Sequence, residues 1–420
     1  MMGDPLYVGL DLGTSGARAI IIDRNGLVRA EGKAPMAQFG DNHRSPLIWW
    51  QSIQHAFLMA LQSVDRSAIV SLAVDATSGT MVPAEKSGLP MADGSMYNDP
   101  CRDEFILQKI RDHAPLTSAA HGATSGLARA LEFSKSVSPS LVLHQADWIS
   151  GQFCGNFSSD ENNALKTGYD PVIEAWPSWV FETGLDRSVL PDVKKPGEPV
   201  GRLTPGVARE FNLSEAVRVV AGTTDGCASF LATGASEPGD GVSALGSTLT
   251  LKVLSNQPLF DPDCGIYSHR LRGMWLAGGA SNTGGNVLLH YFTPDQLARL
   301  SLEIDPDSDS GLDYYPLLKP GERFPVADPK FLPRVSPRPV NDAAFLKGLL
   351  EGITRIEKRG YERLSELGAP RLVSIRTVGG GAQNSVWSRM RERQLGVPLL
   401  APVSEEAAYG TALLARDGAG

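Results

Sequence analysis

Four short stretches of this chain set acids, hydroxyls or bare backbone at turns that follow strands, and the first of them is suited to holding phosphate. In LYVGLDLGTSGARAIIIDRNG, residues 6–26, a single acid, Asp11, interrupts an apolar run, and Gly13, Thr14, Ser15, Gly16 and then Arg18 follow at once. Two glycines and two hydroxyls leave a run of backbone N–H groups open, which is the material of an anion-binding concavity. The same residues also make an ordinary Gly/Ser hairpin capped by Asp11. The second stretch, AGTTDGCASFLATG, carries Asp225 at a strand-to-helix turn. The third, Gly246-Ser247-Thr248, repeats the glycine-hydroxyl-hydroxyl order of Gly13-Thr14-Ser15, and the fourth is the triple glycine 379–381 followed by Asn384. Taken singly, each reads as a turn. Jointly they offer two acids and several glycine and hydroxyl loops, each following a strand, and loops of that kind from two similar halves can converge on one ligand cleft.

The surrounding pattern says how these residues are held. Leu6, Val8, Leu10 and Leu12 share one face, residues 17–22 resume the apolar signal, and Asn25-Gly26 suits a two-residue hairpin. Three antiparallel strands are therefore expected to open the chain. A helix is expected from Trp49 to Val64, and AIVSLAVDATSGTMV reads as a short strand entering another Gly/Thr/Ser turn. Residues 97–155 read as mostly helical, with LVLHQADWISGQFCG a helix ending near Gly155. AVRVVAGTTDGCASFLATG reads as strand, turn at Gly222 and helix from Asp225. GVSALGSTLTLKVLS repeats the opening strand, loop and strand, which suggests two halves built alike. Apolar spacing predicts a long amphipathic helix over Asn341–Leu367. RLVSIRTVGGGAQNSVW follows as strand, glycine turn and helix, and SEEAAYGTALLA as a last helix with Ser404 as its N-cap.

Composition bounds the rest. At 420 residues the chain exceeds the usual single core, so two domains are expected, 1–230 and 231–420. A hydrophobic share of 42% with 20% charged residues describes an ordinary soluble protein, and a net charge of −8 argues against nucleic acid or an anionic membrane as partner. The N-terminus lacks the basic and apolar regions of a secretory signal, and no segment reaches 18 uninterrupted apolar residues. A cytoplasmic or similar reducing compartment is the expectation. Cys101, Cys154, Cys227 and Cys264 lie far apart with no Cys-x-x-Cys pair, which suggests neither a zinc site nor a disulfide framework.

The landmarks GLDLGTSGARA, VDATSGTMV, YNDPCR, DWISGQFCG, NNALKTGYDP, AGTTDGCASFLATGA, SALGST, GGASNTGG, GGGAQNSVW and EEAAYGTALLA occur in order along almost the whole chain. In this arrangement the sequence resembles the FGGY carbohydrate kinases. GIYSHR and SGLDYYPL look like the D-ribulose kinase branch related to xylulose kinases. The resemblance implies an α/β fold of two RNase-H-like domains of the sugar kinase, heat-shock ATPase and actin superfamily, with nucleotide and sugar held in a cleft between them. It implies ATP and Mg²⁺ as cofactors and phosphorylation of a ketopentose, D-ribulose to D-ribulose 5-phosphate. Xylulose or a glycerol-type polyol is the alternative substrate, and a sugar-responsive binding protein of weak turnover is the alternative of another class.

Residue by residue, Asp225 matches the catalytic base, and Asp11 matches the acid that orients the Mg²⁺ complex through water and lies at the sugar. Gly13, Thr14, Ser15, Gly246 and Ser247 match phosphate loops, with Ser247 where family members often carry threonine. Gly380, Gly381 and Asn384 match the nucleoside turn, while Arg18 either adds charge near the phosphates or is an exposed strand arginine. Ser78, Gly79 and His269 match sugar contacts, although a lone histidine outside the family context is more often a structural residue. Asp99 and Arg102 read equally as a family-like segment or a salt bridge, and Trp49 and Trp50 as packing. A small-molecule sugar and ATP are the partners implied, on a monomer or homodimer.

Overall fold

A computed structural model describes residues 4–419. The chain forms two compact α/β units. The first holds the described residues up to Ala232, together with His269–Arg272 and those from Glu406 onward; the second holds Thr233–Ser268 and Gly273–Glu405.

The three expected strands open the first unit as Leu6–Leu12, Gly16–Asp23 and Val28–Pro35, paired antiparallel in sequence. Ile69–Ala76 then joins parallel to Leu6–Leu12, and Arg218–Val220 and Pro199–Arg202 extend the sheet, with Thr223–Thr224 paired alongside Ile69–Ala76. Leu6–Leu12 is buried along its whole length, so both faces must be covered. The helix Ala407–Asp417 supplies one cover: a side chain at Gly9 would place its Cβ 1.9 Å from Ala408 O, so only glycine admits the helix this close. On the same unit Phe57, Phe153 and Phe211, from helices Pro46–Ala60, Gln145–Cys154 and Pro205–Phe211, meet with ring centroids 4.9–6.2 Å apart.

The second unit repeats the plan. Met274–Ala280, Leu249–Ser255 and Asp240–Leu245 pair antiparallel, and Ser374–Val378 joins parallel to Asp240–Leu245 before Leu399–Leu400. The helix Asp342–Glu366, N-capped by Asn341 as its spacing predicts, buries Phe345, Leu346, Leu349, Leu350, Ile353 and Ile356 in this unit's core.

Several local expectations shift. The first long helix runs over Pro46–Ala60 rather than Trp49–Val64, because proline suits the first turn. Within 97–155, Glu104–His113, Gly126–Ser136 and Gln145–Cys154 are helical, but Leu141–His144 is a strand paired with Met81–Ala84. Three apolar residues and a histidine have no readable period, and the partner strand decides their state. Ser404 does not cap the last helix; Glu406 stands at that position, and its side chain makes no capping bond.

Candidate active site

The opening acid sits among opposite and like charges. Asp11 lies opposite Arg18 across the antiparallel pair and level with Asp75 on the parallel neighbour. Arg18 Nη1 reaches Asp11 Oδ2 at 3.2 Å while its Nε reaches Glu406 Oε2 at 3.1 Å, and Lys33 also pairs with Glu406. Burial pushes the Asp11 carboxyl above its ordinary range, and hydrogen bonds from Asp75 and Arg18 pull it back. Asp75 is fully buried, and its Oδ2 accepts from Thr411 Oγ1. Burial and then the Asp11 charge push Asp75 well above the carboxylate range. Asp75 Oδ1 is buried with no hydrogen-bond partner among the described residues.

The turn Gly13-Thr14-Ser15 stands above this pair, with Thr14 and Ser15 exposed and Gly13 N–H donating to Gly16 O at 3.0 Å. A Cβ at Gly13 would meet only Gly16 O, at 3.6 Å, so the protein's own packing does not demand glycine there. Space is left for a ligand against the backbone.

Asp225 begins the helix Asp225–Ala232, and its Oδ1 accepts from Gly226 N–H at 2.7 Å and Ser78 N–H at 3.4 Å. It is close enough to Asp11 and Asp75 to raise both their pKa values. The structure therefore brings Asp11, Asp225 and Ser78 together, with Asp75 added. Gly79 takes a positive φ of 85°, and below it the fully buried Arg129 donates to the carbonyls of Tyr97, Asp99 and Thr124 and to Ser95 Oγ. Gln145 is tied to this loop by its N–H on Thr80 O at 2.9 Å. The Ser78 hydroxyl and both amide atoms of Gln145 are buried with no hydrogen-bond partner among the described residues. Buried polar atoms are normally paired, and a polyhydroxylated ligand offers both donors and acceptors. His269 lies on the strand Ser268–Leu271, next to Arg270, whose backbone is held by Asn162.

In the second unit, Gly246, Ser247, Gly380, Gly381 and Asn384 all line one cavity of about 730 Å³. Leu288, Leu289, Leu297 and Trp387 give it apolar walls. Gly246 O and Ser247 O accept from the N–H groups of Gly285 and Asn286, which pins the loop to the start of the helix Gly285–Tyr291. Asn384 caps the helix Ser385–Leu395 through Trp387 N–H and donates to Ser301 Oγ at 2.8 Å. A Cβ at Gly246 would meet only Thr248 O at 3.8 Å, and one at Gly380 no described atom within 4 Å. Bare backbone lining an apolar cavity suits the flat face of a nucleoside.

The second unit's cavity fits a nucleoside, and Asp11 with the open Gly13 turn of the first unit fits phosphate and magnesium. Among the described residues no group of three or more His, Cys, Asp and Glu is arranged to enclose a metal ion. A single carboxylate such as Asp11, acting beside phosphates and retained water, is the usual protein share for Mg²⁺.

Sequence reasoning passed over Asp75, Arg129, Gln145 and Asn162. Asp75 was findable, since it interrupts the apolar run IVSLAVDA as Asp11 interrupts its own. The other three carry no local signal. The remaining doubtful residues resolve simply: Asp99 pairs with Arg44, Trp49 is buried with its Nε1 on His43 O, and Trp50 packs on Phe153.

Residues 241–416 match the C-terminal domain of the FGGY family of carbohydrate kinases. Over its whole length the chain is 26% identical to an autoinducer-2 kinase of Yersinia pseudotuberculosis serotype O:3 (strain YPIII), of which it covers 87%. Its fold resembles that of a xyloylose kinase from Brucella ovis, with a TM-score of 0.87, 22% identity, and coverage of 99% of this chain and 90% of the other. A xylulose kinase from Rhodospirillum rubrum has a TM-score of 0.84, 22% identity and the same coverage. The likeness of structure carries the two-domain RNase-H-like fold, and no helix among the described residues is long and apolar enough to cross a membrane. With the family match over residues 241–416, the ordered landmarks and two sheets of one plan, the chain is a phosphotransferase similar to the FGGY family of carbohydrate kinases, whose C-terminal domain it carries.

Proposed function

We propose that this sugar kinase uses ATP to phosphorylate the terminal hydroxyl of a ketopentose, with D-ribulose preferred over D-xylulose. The observation that carries the reading is Asp225, fixed at a helix start by two backbone N–H groups beside a loop whose buried hydroxyl lacks a partner. Asp225 accepts the proton of the attacking hydroxyl, and Ser78, Gly79 and His269 bind and orient the sugar. Asp11 holds Mg²⁺ through water; Gly13, Thr14, Ser15, Gly246 and Ser247 bind the phosphates, with Arg18 adding positive charge. Gly380, Gly381 and Asn384 receive the nucleoside. When bound, Mg·ATP supplies the phosphoryl group and part of the charge neutralisation.

The likeness to an autoinducer-2 kinase and to xylulose kinases favours a second reading that changes the sugar alone. A coupled ADP-release assay over D-ribulose, D-xylulose, pentitols, glycerol and autoinducer-2 decides between them. One buried polar group left unpaired costs about 1–3 kcal/mol, so kcat/KM for D-ribulose should exceed that for D-xylulose by roughly 5- to 150-fold. A preference for D-xylulose, glycerol or autoinducer-2 rejects D-ribulose and leaves the kinase. No sugar-dependent ADP release at all returns the chain to a binding role.

A further inference from the structure

Asn162 makes three hydrogen bonds with one side-chain amide. Its Nδ2 donates to Thr223 Oγ1 at 2.9 Å and to Arg270 O at 2.8 Å, while its Oδ1 accepts from Arg270 N–H at 3.0 Å. The amide has two protons to give and both are used. Its orientation is unambiguous, because the Arg270 N–H requires an acceptor and the Arg270 carbonyl requires a donor. Asn162 is fully buried, and its own N–H is held by Asp160 Oδ1 at 2.9 Å. Thr223 is paired in register with Asp75 on the sheet, two residues before Asp225. Arg270 is also anchored through its guanidinium, on Pro171 O and Glu174.

We infer that Asn162 is a positioning residue, tying the Thr223–Asp225 turn to the backbone beside His269 so that base and sugar contact keep one spacing. The inference rests on the reading of Asp225 as the base. A displacement of about 1 Å at a reacting group can cost about 100-fold in rate, and no other described side chain bonds both Thr223 and Arg270. Aspartate is not a substitute. It has no proton to give Thr223 or Arg270 O, and it sets a charged oxygen against that carbonyl.

The test compares wild type with Asn162→Asp, Asn162→Ala, Thr223→Val, which removes the hydroxyl acceptor at constant shape, and Thr223→Ser, which restores it. Sugar kcat/KM should fall about 100-fold in Asn162→Asp and about 3- to 10-fold in Thr223→Val, with KM for Mg·ATP within twofold of wild type. Thr223→Ser should recover most of the loss. Amide hydrogen exchange of the ligand-free protein gives a readout without activity: Asn162→Ala should speed exchange at Arg270 and at 223–226 together by about tenfold or more, leaving 374–378 unchanged. Kinetic constants within twofold of wild type per folded molecule, or faster exchange at Arg270 alone, overturn the inference. If the Asn162 variants do not fold, the Thr223→Val and Thr223→Ser pair decides. If the wild type phosphorylates no sugar, the proposed function fails, and the exchange pattern still judges the tie.

Discussion

Side chains introduced at Gly380 and Gly381 should separate ligand binding from folding. A Cβ at Gly380 meets no described atom within 4 Å, and the backbone there is not left-handed. The protein itself therefore accepts a side chain, and Gly380→Ala should stabilise the fold by about 0.4–1 kcal/mol by restricting the unfolded chain. A nucleoside seated on that bare backbone rests at about 3.5–4.0 Å, so the larger Gly380→Val must push it out of contact. The expected loss is at least about 1.4 kcal/mol, or tenfold in Kd for Mg·ATP. Gly381 behaves in the opposite way. Its Cβ would lie 2.7 Å from Leu245 Cβ and 2.8 Å from a ring carbon of Trp387, and such overpacking costs about 1–3 kcal/mol of stability. Calorimetric titration with Mg·ATP and thermal melts of Gly380→Ala, Gly380→Val and Gly381→Ala read both effects. Wild-type Mg·ATP affinity in a folded Gly380→Val protein would refute the placement of the nucleoside in this cavity.

Asp225→Asn is nearly isosteric but cannot take up the proton, so sugar-dependent turnover should fall by about 10²- to 10⁴-fold with the melting temperature kept; a folded variant with most of its turnover would remove Asp225 from the role of base. A separate prediction concerns acid stability. Burial, then Arg129 and Lys166, push the fully buried His144 down to about 3, while its Nε2 contacts Thr167 Oγ1 at 3.0 Å. Above its unfolded value of about 6.5 the contribution is level; as the pH falls toward 3 the unfolded chain binds a proton that the folded chain refuses, and stability is lost at about 1.4 kcal/mol per pH unit. Glu161, raised to about 7 by burial, acts in the reverse sense, gaining stability as the pH falls from 7 toward 4.5. The difference between wild type and His144→Gln, followed by denaturant unfolding, cancels that term and should narrow by about 3 kcal/mol between pH 6.5 and 4. A flat difference would show that His144 is charged in the fold.

Local physics made much of this protein readable from its residues. The opening hairpins follow from two apolar runs broken by a glycine turn and from Asn25-Gly26, the helix Asp342–Glu366 from its apolar stripe, and the Asp225 turn from glycine and threonine after a short apolar run. Glycine loops and their acids could be found because each lies within a few residues of the strand that presents it. Tertiary structure alone decided what depends on distant partners. Leu141–His144 became a strand because Met81–Ala84 lies beside it, and the last helix joined the first unit because Gly9 leaves room for its backbone. Asp75 reached Asp11 through a parallel register 64 residues apart, and Asn162 reached Thr223 and Arg270 at separations of 61 and 108. Periodicity reports which face of an element is buried. It contains no term for which distant element covers that face, and the partners of a buried polar group are set by that choice.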